Sequence, residues 1–268
     1  MKVLIIGFGS IGKRHAQILS AHNSVEEICV LSNQLNLPYR TFNKIDQTKE
    51  YNPDYIVVCS ETSKHLEHLS FIEKNFKNKL VLIEKPLFSK YYKLNIKHNK
   101  VFVGYNLRYH PLLNLIKKKI YSKKIWSVQI ICGSFLPSWR KNIDYRKSYS
   151  AKSNGGGVLL DLSHELDYAV WLFGNLKPNF IVSKKISDLK IESDDYLSLF
   201  LENKQQTYIQ ISLNYFMKKP TRQIFIDGED ISIQTDLINN TSFVFEKDQH
   251  NIEKLDNFNR NKMYEEQH

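Results

Sequence analysis

Lys2-Val3-Leu4-Ile5-Ile6, then Gly7-Phe8-Gly9-Ser10-Ile11-Gly12, then Lys13-Arg14-His15-Ala16-Gln17-Ile18-Leu19 is the stretch whose reading decides the fold. The first run is apolar and β-branched, as a buried strand requires. The last reads as an amphipathic helix. A strand, a glycine turn and a helix in that order give G-x-G-x-x-G the context of a dinucleotide-binding turn. Gly7 permits the tight turn, Gly9 lets a pyrophosphate approach the backbone, and Gly12 lets helix and strand pack closely. The helix N-terminus offers free N–H groups and partial positive charge to the phosphates. Phe8, Ser10 and Ile11 lie inside the turn and join the glycines as candidate cofactor contacts. The plainer alternative is a strand–helix turn that holds no ligand.

The 268 residues suit one large domain or two moderate ones. Hydrophobic residues make up 42% and charged residues 25%, the balance of a globular protein. No apolar run approaches the length of a membrane span, and the first is too short for a signal peptide, so no membrane partner is expected. Cys29, Cys59 and Cys132 are far apart, odd in number and set in apolar runs. They read as buried free thiols of a cytoplasmic protein. The net charge is +10, but the lysines are spread along the chain and form no recognised nucleic-acid module. A solvated lysine-rich surface is the better reading, with attraction of an anionic small substrate as the weaker one.

Glu27-Ile28-Cys29-Val30-Leu31 reads as a second strand. About twenty residues past the last motif glycine, an acidic residue normally holds the ribose of NAD. Ser32 stands there, with Asn33 next, and neither repels a 2′-phosphate. Arg14 and Arg40 are candidates to bind one, so NAD and NADP both stay open. Tyr55 to Cys59, Leu80 to Ile83 and Val101 to Val103 read as buried strands. Thr62-Ser63 is expected to cap a helix over 64–75. His65 and His68 sit one turn apart on it without an evident third ligand, so no metal site is expected. Strand–helix alternation gives a doubly wound parallel sheet, whose ligands bind at the carboxyl ends of the strands. Gly7, Ser60-Glu61-Thr62, Lys85 and Gly104 fall at such ends. Ser32, Ser60, Thr62, His65, Glu84 and Lys85 are therefore further candidate cofactor contacts.

After residue 105 the pattern changes. Strand-like runs at 126–131, 196–201, 207–215, 223–227 and 231–235 come with few helices between them. Asp227-Gly228-Glu229-Asp230 is a hairpin signal. The expected division is a parallel dinucleotide-binding domain over 1–105 and an α+β domain with an open, mostly antiparallel sheet over 106–268. Asn154-Gly155-Gly156-Gly157 precedes an expected helix over 158–173. Asp161, His164, Glu165 and Tyr168 share one face of it, and Leu162, Leu166, Ala169 and Phe173 form an apolar stripe. A polar stripe on a mostly apolar helix must meet water, a ligand or partners. Asp161, one turn from His164, is placed to fix its tautomer and raise its basicity.

Taken together these motifs resemble the Gfo/Idh/MocA oxidoreductases, the glucose-fructose oxidoreductase and inositol dehydrogenase family. The resemblance rests on Gly7-Phe8-Gly9-Ser10-Ile11-Gly12, Glu84-Lys85-Pro86, Gly104-Tyr105-Asn106-Leu107-Arg108-Tyr109-His110-Pro111 and Gly155-Gly156-Gly157-Val158-Leu159-Leu160-Asp161, in that order. It implies a Rossmann domain followed by an open-sheet α/β domain whose first helix lines the cleft. It implies reversible hydride transfer between NAD or NADP and a hydroxyl or keto carbon of a sugar, cyclitol or nucleotide sugar. Lys85 is then expected beside the nicotinamide and the substrate hydroxyl, with the Lys85-Pro86 peptide cis and aiming the lysine into the cleft.

The family commonly places its catalytic histidine four residues after the aspartate. Here position 165 is Glu, and His164 comes one residue early. The resemblance carries the histidine's role to His164, with Lys85 as the alternative base and Asp161 orienting substrate. Arg108 and Tyr145 are further candidate substrate contacts. Tyr145 belongs to a polar-aromatic run, Trp139 to Tyr149, that reads either as a loop over the sugar or as an ordinary surface loop. Arg140 or Arg146 there is a candidate partner for a carboxylate or phosphate.

Family members with the wording Leu162-Ser163-His164-Glu165-Leu166-Asp167-Tyr168 suggest a role in surface-glycan biosynthesis. Asn259 to Glu266 resembles the opening of the family's last long helix, which implies an end that this chain lacks. The segment after Pro86 is short, which implies a reduced surface helix. A homo-oligomer through the C-terminal sheet is the expected assembly. The rival readings are a non-catalytic dinucleotide or sugar-nucleotide binding protein and a basic nucleic-acid binder.

Overall fold

Strand β1 (Lys2–Ile6) takes up the opening apolar run, and Val3 to Ile6 are buried from both faces of its sheet. The computed structural model describes residues 1–247 and 249–268 and divides into two compact units, Met1–Asn106 with Arg260–His268, and Leu107–Asn259. In the first unit β1 is followed by α1 (Ser10–Ser20), β2 (Glu27–Leu31), β3 (Arg40–Phe42) and β4 (Tyr55–Val58). A 3-10 turn at Thr62–Lys64 leads into α2 (His65–Asn75), then β5 (Leu80–Glu84) and β6 (Lys100–Gly104). The strands form one parallel sheet in the order β3-β2-β1-β4-β5-β6. That is the doubly wound Rossmann order, which reverses direction between β1 and β4.

The period of two along each strand sorts the core into two layers. Val3, Ile5, Val30 and Val57 face Ala16 and Leu19 of α1. Leu4, Ile6, Ile56, Val58 and Ile83 face Leu69 and Ile72 of α2. The stretch from Lys85 to Asn99 contains no helix, and Leu87, Phe88 and Leu94 close the second layer directly.

The second unit carries α3 (Pro111–Ile120), β7 (Ile125–Gly133), α4 (Val158–Asp161) and α5 (His164–Phe173). Seven more strands come after them: β8 (Leu176–Lys184), β9 (Tyr196–Asn203), β10 (Tyr208–Asn214), β11 (Thr221–Gly228), β12 (Ile231–Asp236), β13 (Thr241–Glu246) and β14 (Gln249–Lys254). All eight lie in one sheet, ordered β14-β13-β12-β11-β7-β10-β9-β8, antiparallel except for the β7–β10 pair. One face is core, with Val128, Ile130, Ile209, Ile211, Ile224 and Ile233 buried. On the other face a single cross-strand row runs Phe180, Phe200, Gln210, Gln129, Phe225, Gln234, Phe243, Ile252. Its phenylalanines 180, 200 and 243 and Ile252 are exposed.

Three local expectations change. The helix expected over 158–173 breaks at Leu162-Ser163, where Leu162 leaves helical geometry. Thr62 and Ser63 place no side chain on the start of α2. The last helix, Asn261–Gln267, buries Met263 and Tyr264 and packs against α1, so its residues group with the first unit rather than with Leu107–Asn259.

His110 caps α3 by accepting the Leu112 N–H on Nδ1 at 3.2 Å, and its Nε2 then donates to Asn240. Burial holds its pKa down at about 4. A histidine held neutral favours the folded state fully above its unfolded value near 6.5. That contribution should fade as pH falls from there to about 4, and a series of urea titrations across that window measures it. A Cβ on Gly12 would run into the Gly7 carbonyl. Gly12→Ala gains about 1 kcal/mol of helix propensity, yet overpacking against backbone costs roughly 1–3 kcal/mol. The expected result is a lower urea midpoint; an unchanged midpoint would show that the turn relaxes freely.

Candidate active site

The glycine turn is shaped to admit an anion. Gly7 has φ +92, and a side chain there would meet the Cys59 and Ser60 backbone within 2.9 Å. Gly9 is the N-cap of α1, with φ −74 and no atom within 4 Å of an added Cβ. No side chain caps this helix, and its first turn holds no acid. The N–H groups of Ser10, Ile11 and Gly12 therefore lack an intrahelical acceptor and face the end of the turn. Ser10 is exposed and Ile11 half-buried, while the Phe8 ring is buried and packs edge-on against Tyr39 at 5.7 Å.

Beside the end of β2 lies a polar recess lined by Ser32, Asn33, Gln34, Tyr39, Asn43 and Glu50 among others. The Ser32 hydroxyl accepts the Gln34 N–H at 3.1 Å, and Gln34 Nε2 donates to the Phe8 carbonyl at 2.8 Å. Gln34 thus ties this recess to the glycine turn, a role sequence reasoning missed. The two arginines considered for a 2′-phosphate are engaged elsewhere. Arg14 lies over the Tyr264 ring at 5.2 Å. Arg40 sits 3.9 Å from Glu27, at the opposite end of β2 from Ser32, and over Phe42 and Tyr51.

At the end of β5 the Lys85-Pro86 peptide is cis. The Glu84 carboxylate is buried and fully engaged: Oε2 accepts the Lys85 N–H at 3.3 Å, and Oε1 contacts His15 Nε2 at 2.9 Å. His65 is buried too. Its Nδ1 lies 3.1 Å from the Pro86 and Leu87 carbonyls and its Nε2 3.0 Å from the Ser60 carbonyl. His65 therefore clasps the turns after β4 and β5, and its ring nitrogens face backbone rather than a cofactor. Ser60 Oγ meets His68 Nδ1 at 2.9 Å, and Thr62 opens the 3-10 turn. His15, unremarked in the sequence, proves central; its signal was its place on the inner side of the expected helix, one residue before the buried Ala16.

In the second unit Gly157, at φ +103, starts α4, and the Asp194 side chain occupies the space a Cβ would fill. Asp194 accepts the Val158 N–H on its carbonyl and the Leu159 N–H on its carboxylate, and burial raises its pKa. Asp161 closes α4 and accepts the Tyr215 hydroxyl at 2.6 Å. Burial first, then the Asp161 charge, pushes Tyr215 far above its ordinary value and Tyr149 up to about 12. Trp139 stacks edge-on against Tyr215 at 5.2 Å, and Arg140 lies 5.7 Å over Tyr149. Asp161 thus stands among aromatic rings and phenol donors.

His164 opens α5 and is half-buried. Glu165 is wholly buried, with Oε1 2.8 Å from Arg222 Nε. Burial opposes the Arg222 charge, but Glu165 outweighs it and the guanidinium pKa is raised. Burial and then Glu165 push Cys132 up to about 12. The polar stripe read on this helix is therefore not solvent-facing: Glu165 has its partner inside the unit, and Tyr168 is also buried. Of the two neighbours, His164 is the one left near the surface.

The other expected substrate contacts are tied within the unit. Arg108 forms a bidentate pair with Asp167 at 2.6 and 2.8 Å. Arg146 pairs with Asp144, and the Tyr145 hydroxyl accepts the Lys190 N–H at 3.2 Å.

Residues 1–97 match the family described as an oxidoreductase family with an NAD-binding Rossmann fold, and residues 114–234 match the GFO/IDH/MocA C-terminal domain. The chain belongs to the Gfo/Idh/MocA oxidoreductase family. Within it the chain is 23% identical to inositol 2-dehydrogenase of Rhizobium meliloti over 188 residues, 63% of this chain and 54% of that protein. The match thus spans about half the length of that relative. Among solved structures it resembles UDP-N-acetylglucosamine 3-dehydrogenase GnnA from Acidithiobacillus ferrooxidans, with TM-score 0.75, 18% identity, and 97% of this chain and 85% of that chain covered. It also resembles the WlbA dehydrogenase of Bordetella pertussis in complex with NADH and UDP-GlcNAcA, with TM-score 0.76, 16% identity, and 99% and 82% covered. A levoglucosan dehydrogenase in complex with NADH gives TM-score 0.79, 16% identity, and 95% and 79% covered. At these identities the likeness is one of fold.

Removing one member of a buried ion pair costs about 3–5 kcal/mol, whereas replacing both with apolar residues is nearly neutral. Arg222→Leu should therefore destabilise strongly, and the Glu165→Leu/Arg222→Leu double variant should recover most of the loss in urea denaturation. Additive single effects would show that the two charges do not interact.

Proposed function

We propose that this chain is an NAD(P)-dependent oxidoreductase that exchanges a hydride between nicotinamide and a hydroxyl or keto carbon of a sugar, cyclitol or nucleotide sugar. The observation that carries the reading is the uncapped start of α1 at an open Gly9, in the same unit as a lysine at the carboxyl end of β5. The residues present fit a dinucleotide: free N–H groups for the pyrophosphate and a polar recess after β2 for the adenosine ribose. The recess carries no arginine or lysine, which favours NAD. When bound, the nicotinamide supplies the hydride chemistry.

The chain's own residues supply alignment and proton handling. In the oxidation direction Lys85, or His164, takes the substrate hydroxyl proton. Asp161, set among Tyr149 and Tyr215, accepts a substrate hydroxyl and fixes its orientation. Dehydrogenases acting on a nucleotide sugar, an anhydrosugar and a cyclitol stand among the similar proteins, which supports this substrate class. Surface-glycan biosynthesis is the proposed setting, and the three buried free thiols suit the cytoplasm.

The row from Phe180–Phe200 to Phe243–Ile252 is the face proposed to meet a second copy of this chain, since Phe180, Phe200, Phe243 and Ile252 leave large apolar side chains exposed along it.

Titration with NADH and NADPH, followed by turnover on a panel of sugars, cyclitols and nucleotide sugars, tests the reading. Lys85→Ala should bind NADH within about twofold of the parent and lose at least about a hundredfold in kcat, the scale of general acid–base catalysis. Cofactor binding without turnover of any panel member would favour the non-catalytic binding protein. Unchanged turnover in Lys85→Ala would remove that residue from the chemistry.

A further inference from the structure

We propose that His15 and His268 are positioning residues for Lys85, acting through Glu84 in one line of hydrogen bonds within the first unit. The proposal rests on the reading that Lys85 handles the substrate proton. The line is continuous. The Tyr55 hydroxyl lies 2.8 Å from His268 Nδ1, and His268 Nε2 lies 2.7 Å from His15 Nδ1. His15 Nε2 lies 2.9 Å from Glu84 Oε1, and Glu84 Oε2 accepts the Lys85 N–H at 3.3 Å.

One proton arrangement satisfies every contact with neutral rings. An ionised carboxylate only accepts, so His15 carries its proton on Nε2. Its Nδ1 is then an acceptor, which puts the His268 proton on Nε2. His268 Nδ1 in turn accepts from the Tyr55 hydroxyl. All donors point toward Glu84. Burial favours the neutral form of the His268 ring, whose pKa it holds down at about 3. His15 and Glu84 are both buried, so no solvent replaces a lost partner.

The geometry leaves the carboxylate little freedom. A side chain at Gly104 would come within 2.7 Å of Glu84 Oε1, so β6 walls off one side. His15 holds Oε1 from α1, and Oε2 holds the lysine's own amide. Glu84 still keeps the His15 proton on Nε2 when the His268 N–H is removed, but the buried Nδ1 is then an acceptor with no donor. The ring is held through Nε2 alone and shifts to recover a donor. Glu84 Oε1 moves with it, and the Oε2 contact to the Lys85 amide weakens. The last helix supports this from outside: Tyr264 packs edge-on against His15 at 5.5 Å, with Arg14 over the Tyr264 ring. Docking of that helix on α1 is thereby felt at the residue after Glu84.

Amide hydrogen exchange of Lys85 in the ¹⁵N-labelled full chain, for the parent, His268→Phe and Tyr55→Phe, tests the relay. Lys85 exchange should speed up about tenfold or more in His268→Phe, and by a smaller factor in Tyr55→Phe, with circular dichroism unchanged. In turnover, kcat should fall about fivefold or more while KM and NADH affinity stay within about twofold, a split that general loss of folded protein does not produce. Parent-like Lys85 exchange in folded His268→Phe would overturn the proposal. Should His268→Phe fail to fold, parent-like exchange in Tyr55→Phe overturns it instead. Faster exchange in a protein whose parent turns over no panel substrate would uphold the relay and reject the catalytic reading.

Discussion

The contact of Gly12 with the Gly7 carbonyl, with no side chain between, is the constraint on which the first unit depends. It presses α1 onto β1 so closely that the start of the helix falls beside the ends of β1 and β4. Three unsatisfied N–H groups are then concentrated at one end of a parallel sheet. Everything proposed for the first unit stems from that placement. The recess after β2 joins the turn through Gln34, and the turns after β4 and β5 are clasped by His65. Lys85 enters the same row of strand ends on a turn whose backbone is held from both sides, by Glu84 at its amide and by His65 beyond the proline.

In the second unit a buried charge occupies the position beside the candidate histidine. Position 165, where the family commonly has its histidine, is filled by a glutamate paired to Arg222 of β11. That pair ties α5 to the sheet and takes position 165 out of reach of solvent. The break at Leu162-Ser163 changes the phase between Asp161 and α5, so residue spacing along one continuous helix no longer describes the site. His164 is left half-buried at the start of α5, while Asp161 is held at the end of α4 by Tyr215.

Strands β1, β2, β4 and β5 were legible because they are largely buried and read as unbroken apolar runs between turn residues, and β6 was legible as the short apolar run Val101 to Val103, whereas the three-residue, mostly exposed β3 was not. Strands β7 and β9 to β12 were legible from their alternation. Strands β8 and β14 were not, because they are almost wholly exposed and have no buried side to set a period. The glycine turn and the Lys85-Pro86 turn were legible as chemistry because their spacing is local. What escaped was long-range pairing. Arg108 and Arg146 look like anion ligands in sequence, yet each meets a carboxylate inside its own unit. Arg222 and His268 carry no local signal, since their partners lie 57 and 253 residues away.

The central claim is that the backbone at the glycine turn holds a nicotinamide dinucleotide. Gly9 isolates it, because a side chain there meets open space and an ordinary backbone angle, so the fold tolerates one while a pyrophosphate does not. NADH titration by fluorescence, on the parent and on Gly9→Val with matched thermal melts, reads this directly. The account predicts that the parent binds and that Gly9→Val, folded at the titration temperature by its melt, binds at least about tenfold more weakly, a loss of about 1.4 kcal/mol or more. Equal binding by the two proteins, or no binding by either NADH or NADPH to the parent, would contradict it.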